Sequence, residues 1–174
     1  MSDASARLDL SADSEALGYP RSAIAADLAA IAVVGLVLLV VQYLLPAGVH
    51  ERLAFDHAAF APSTLLTAAY VHAGTDHLLS NLGGYVSLSL VTYLICLHAD
   101  RRAWFRRTFL ALLVVLPVAV NLTSYVILET RFPTVSPVSR GFSGVVAGLL
   151  GCRRGLRWIP AGRGGGPPPW LVLP

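Results

Sequence analysis

Lysine is absent from this chain of 174 residues, and all thirteen basic side chains are arginine. Charge of either sign is scarce: Asp, Glu, Lys and Arg together make up 13%, against roughly 25% in an ordinary soluble domain. That shortage excludes a well-solvated globular surface. The net charge of +3 is small and sits in short arginine clusters. With no basic stripe interleaved with aromatics, nucleic acid is excluded as a partner. Two cysteines, Cys96 and Cys152, are too few for a disulfide framework. Each stands where an apolar run meets arginines, and reads as a buried or interfacial thiol. Histidine occurs at 50, 57, 72, 77 and 98 and nowhere later.

What the chain has in abundance is apolar sequence, 55% hydrophobic with a mean hydropathy of +0.65. The run 28–45, "LAAIAVVGLVLLVVQYLL", holds only Gln42 as a strongly polar residue and is long enough for one membrane crossing. Further runs follow at 77–97, 108–128 and 141–152. The expected fold is therefore all-α, a polytopic membrane helix bundle with four spans. Residues 1–27, rich in Ser, Ala and acids, read as a flexible tail without a signal-peptide cleavage site. Residues 153–174, dense in Arg, Gly and Pro, read as a second tail that cannot form a spanning helix.

Arginine placement predicts sidedness. Arg101, Arg102, Arg106 and Arg107 lie between the second and third runs, and Arg153, Arg154 and Arg157 follow the fourth. The other connections hold only Arg52, or Arg131 and Arg140. The positive-inside rule then puts both tails in the cytoplasm of a multi-pass cell-membrane protein. On that reading spans two and four both start at the outer side and run inward.

The polar residues at those outer starts are the candidates for chemistry. His77 and Asn81 lie four residues apart, about 40° apart around a helix and roughly 6 Å along it. They share a face, where they suit either interhelical hydrogen bonding or a functional site. His72 precedes His77 by five residues and is expected in the leading loop. The same spacing, with Asp76 and no further ligand, departs from the i, i+4 histidine pair of helical zinc sites, and no metal or other cofactor is expected. Ser143 opens the fourth run within Gly141-Phe142-Ser143-Gly144. From Phe142 to Cys152 a helix covers only about 17 Å of a hydrocarbon core of about 30 Å. If Arg153 and Arg154 anchor its inner end, Ser143 lies below the outer surface and its leading loop dips into a wet, protein-lined cavity. Gly144, Ala147, Gly148 and Gly151 form small-xxx-small pairs that place this run at the bundle centre.

These residues resemble the rhomboid family of intramembrane serine proteases. The family's marks are G-x-S-G at the start of the fourth span and H-x4-H-x3-N at the start of the second; this chain has Gly141-Phe142-Ser143-Gly144 and His72, His77 and Asn81. The likeness spans residues 28 to about 151. It implies a rhomboid-like core, here with four of the usual six spans, and a serine endopeptidase acting on transmembrane protein substrates within the lipid bilayer. It further implies Ser143 as nucleophile, and an oxyanion hole of His77, Asn81 and the Ser143 N–H. His72 would support the span-two entrance, and Gly141 and Gly144 would shape the serine turn. The family's general base, a sixth-span histidine in A-H-x-x-G, has no counterpart here. His77 as the base is the one substitute this chain offers. The abrupt change after Cys152 looks like a truncation or frameshift, an expectation that an apolar A-H-x-x-G segment in another frame of the downstream DNA would meet. Without a base the chain is expected to be inactive alone; the alternative is a non-catalytic rhomboid-like protein that binds transmembrane segments.

Overall fold

The computed structural model describes residues 15–132 and 137–155. The chain is mostly helical. Two strands, β1 (Glu15–Ala16) and β2 (Tyr19–Pro20), form a minimal hairpin ahead of α1 (Arg21–Leu44). Short helices α2 (Ala47–Leu53) and α3 (Thr64–Thr67) flank strand β3 (Phe55–Asp56). After a 3-10 turn at Ala68–Tyr70 come α4 (Thr75–His98) and α5 (Arg102–Arg131). Strand β4 (Val138–Ser139) pairs antiparallel with β3, and α6 (Ser143–Gly155) follows.

Three helices, α1, α4 and α5, are long and apolar enough to cross a membrane. At 24 residues α1 and α4 each reach about 36 Å, more than the hydrocarbon thickness. Rows of exposed Leu and Val on all three, such as Leu36, Leu94, Leu110 and Val115, give the bundle the apolar outer surface that a bilayer requires. The fourth apolar run forms α6, which is too short to count among them.

Pairwise contacts fix the helix directions. Asp27 meets Tyr93, the Ile31 carbonyl accepts from Tyr85, and a Cβ on Gly35 would touch Leu82, so α1 runs antiparallel to α4. A Cβ on Gly84 would meet Val146 at 2.9 Å, and Asn81 faces Gly141. Hence α4 and α6 run in the same direction, the relation inferred from arginine spacing. Gly144 faces Val120 and Gly148 faces Leu116 and Leu112, so α5 is antiparallel to α6. Phe142, Val145 and Leu149 bury one stripe of α6 between α4 and α5. The small-residue reading holds at Gly148, where a Cβ would come within 2.5 Å of Leu116. It fails at Gly151, which has open space where a Cβ would go, and at Ala147, which is exposed.

Two expected boundaries are corrected. Helix α1 starts at Arg21, so residues 21–27 are helical rather than tail, and Asp27 is 6% exposed. Its Oδ2 accepts from Tyr93 Oη at 3.0 Å and from Arg102 Nε at 2.5 Å. A carboxylate so enclosed needs such partners, and its nearest sequence neighbours supply none. Likewise α5 starts at Arg102, leaving Ala99–Arg101 as the connection; Arg106 and Arg107 are helical residues at the apolar boundary. The first fourteen residues, 133–136 and 156–174, including Arg157 and most of the Gly/Pro tail, lie outside the described residues.

Pro117 stands inside α5 and has no N–H for the Leu113 carbonyl. That carbonyl accepts instead from Tyr70 Oη at 2.9 Å. The helix thus continues through the proline, and the vacated acceptor fixes Tyr70 beside the start of α6.

Candidate active site

The segment ahead of α6 is anchored from four directions. Gly141 N donates to the Ala68 carbonyl at 3.0 Å. Phe142 is fully buried, its ring 5.5 Å from that of Tyr70 and 5.4 Å from that of Tyr85. Its N–H points to His72 Nε2 at 3.4 Å. Strand β4 behind it pairs with β3. Ser143 is the first residue of α6, so its N–H and that of Gly144 have no carbonyl one turn back within the helix. Those groups carry the positive end of the helix dipole, suited to a developing negative charge.

Glycine at 141 is required twice over. Its φ is +120°, a conformation that side chains rarely adopt. A Cβ there would stand 2.6 Å from His77 Cε1, 2.9 Å from His77 Nε2 and 3.7 Å from Asn81 Nδ2. His77 and Asn81 therefore share the α4 face expected of them and press on the backbone just ahead of Ser143. His72 lies in the loop before α4, with its ring 5.2 Å from that of His77. Gly144 plays no comparable part: it is an ordinary residue of α6, facing Val120 at 3.7 Å.

His72 is 2% exposed. Burial, reinforced by the neighbouring His77 and opposed by a backbone contact at Tyr70, pushes its pKa down to about 4. The ring is neutral at neutral pH, and because Nε2 accepts from Phe142, the proton resides on Nδ1. Its lone pair is engaged by Phe142, and no hydrogen bond joins His72 to Ser143. It holds the serine turn instead. Asn81 is 7% exposed, and its Nδ2 has no hydrogen-bond partner among the described residues. It leaves a buried amide donor open beside Gly141.

Ser143 itself is exposed and lines a cavity of about 270 Å³. Pro117, Asn121 and Ser124 of α5 form one wall, Ala68 and Ala69 a second, and Val138 to Arg140 a third. Neither His77 nor Asn81 is among the residues lining it. Among the described residues the Ser143 hydroxyl has no hydrogen-bond partner. The structure thus gathers His72, His77, Asn81 and Gly141 around the serine turn, and pairs none of them with the hydroxyl.

One neighbour was not foreseen from sequence. His57 is 4% exposed and its Nε2 lies 2.9 Å from Ser139 Oγ, two residues before Gly141. The rings of Phe55 and Tyr125 pack against it, and burial lowers its pKa. This pair fastens the β3–β4 junction to the cavity rim. Its signal was weak, because His57 and Ser139 are 82 positions apart.

Comparison with protein-family models, with curated proteins and with solved structures returns no match to this chain.

Proposed function

We propose that the chain is a rhomboid-type membrane protein carrying the nucleophile half of an intramembrane serine endopeptidase site. Ser143 is the nucleophile. The N–H groups at the start of α6, with His77 and Asn81 from α4, supply the donors for a tetrahedral intermediate's oxyanion. Substrates are transmembrane proteins cut near the outer boundary of the cell membrane, with the N-terminus cytoplasmic. The observation that carries the reading is the contact of Gly141, at φ +120°, with both His77 and Asn81. Two sequence motifs 60 residues apart meet there at a turn that admits only glycine.

The same chemistry limits the activity. A serine hydroxyl is a weak nucleophile until an adjacent base takes its proton. His72 is committed to Phe142, and the Ser143 hydroxyl has no partner among the described residues. We therefore expect this chain alone to turn over little or no substrate. The lack of a base beside Ser143 among the described residues favours the second reading, a rhomboid-like membrane protein that binds transmembrane segments without cutting them.

A serine-directed fluorophosphonate, followed by peptide mapping, tests the proposal. Slow labelling confined to Ser143, lost in Ser143→Ala and diminished in Asn81→Ala, supports a built nucleophile site. Absence of labelling at any reagent concentration supports the binding-only reading.

A further inference from the structure

A second cavity lies at the opposite end of the bundle, independent of Ser143. It measures about 500 Å³ and runs between the first turns of α1 and α5. Its walls are mostly apolar, with Ala30, Ala103, Phe109 and Leu110 facing it and Leu110 62% exposed; the one carboxylate lining it, Asp27, is the one clamped by Tyr93 and Arg102. Arg106 and Arg107 stand at its rim.

The charge around it does not balance. Four arginines lie between 101 and 107, and the carboxylates near them are Asp27 and Asp100. Asp27 Oδ2 is already saturated by Tyr93 and Arg102, and Asp100 accepts from Tyr19 Oη. Arg106 reaches Asp27 Oδ1 only at 3.5 Å through Nε, and its side chain is 63% exposed. Among the described residues its two Nη groups and the whole of Arg107 have no partner. Two guanidinium forks are left free at the lip of an apolar groove, where the long apolar runs of both helices begin.

We propose that this groove binds one anionic phospholipid. The headgroup phosphate takes the free forks of Arg106 and Arg107, as guanidinium and phosphate match in geometry and charge. One acyl chain lies along Ala30, Phe109 and Leu110. A free phosphate has the same headgroup chemistry, but it leaves the exposed apolar wall uncovered. Basic grooves between transmembrane helices hold phospholipid headgroups in this way.

The full chain, purified in detergent, is incubated with an equimolar mixture of phosphatidylglycerol and phosphatidylcholine, and retained lipid is counted by native mass spectrometry. One phosphatidylglycerol per chain is expected, preferred about thirtyfold. The double variant Arg106→Gln/Arg107→Gln abolishes the preference. Ala30→Trp, which fills the groove and keeps every charge, abolishes retention. Equal retention of the two lipids by the unaltered chain, or a preference that survives either variant, overturns the proposal. So does displacement of the lipid by inorganic phosphate at equal concentration.

Discussion

Replacing Gly141 by alanine isolates the feature on which the site depends. Two costs arise there. The backbone at φ +120° is strained for any residue with a Cβ, by about 1–3 kcal/mol. The new Cβ would also stand 2.6 Å from His77 Cε1, whereas carbon atoms rest at roughly 3.5–4.0 Å. The imidazole must retreat by about 1 Å, and being at the end of its side chain it can do so. Most of the steric cost then reappears as a displaced His77 rather than as lost stability. We expect Gly141→Ala to destabilise the bundle by about 2–4 kcal/mol and to slow phosphonate labelling about a hundredfold, the scale of one misplaced oxyanion donor. Gly144→Ala is the control. Its Cβ would meet only Val120, at 3.7 and 3.9 Å, and a helical alanine gains up to about 1 kcal/mol over glycine. Unfolding of the detergent-solubilised chain by SDS titration, followed by circular dichroism, measures both. Equal stability of the two variants would refute the assignment of Gly141 as the fixed turn beneath His77 and Asn81.

Asn81→Ala removes a buried donor that has no partner, so its stability stays within about 1 kcal/mol of the original while labelling falls about a hundredfold; a large stability loss with unchanged labelling would show a structural amide. His72 is held neutral, with a pKa near 4 against 6.5 when unfolded. The unfolded chain therefore binds the extra proton, and stability rises with pH through this window. Up to roughly 3 kcal/mol is present above pH 6.5 and lost as pH falls toward 4, and His72→Asn should flatten that dependence in an SDS-titration pH series. Asp27→Asn leaves Arg102 without its buried carboxylate and costs about 3 kcal/mol, whereas Tyr93→Phe, which removes one hydrogen bond to the same oxygen, costs about 1 kcal/mol; reversal of that order in the same unfolding assay would contradict the described clamp.

What could be read from sequence was what short spacing encodes. Four residues of helix put His77 and Asn81 on one face, and a G-x-S-G turn announced Gly141 and Ser143. Arginine clusters gave the common direction of α4 and α6, which the Asn81–Gly141 and Gly84–Val146 contacts bear out. Long-range partnership was not legible. Asp27 looked like part of a solvated leader because Arg102 and Tyr93, which neutralise it, lie 75 and 66 positions away. Arg102, Arg106 and Arg107 looked like loop because charge argues against an apolar helix, yet their ends reach out of α5 while its backbone continues. The role of Pro117 depended on Tyr70 supplying the missing donor, and His57 on a strand pairing only two residues long. Gly144 and Gly151 looked equivalent to Gly141 and Gly148 in composition; only the packing separated them.

The central proposal is that Ser143 is a nucleophile in a built site with no base paired to it among the described residues. Because Ser143 is exposed, a small base added to solution can reach it. The rate of fluorophosphonate labelling should rise in proportion to added imidazole, fall as imidazole is protonated, and vanish in Ser143→Ala. A rate indifferent to imidazole, or labelling carried by Ser139 instead, would contradict the account.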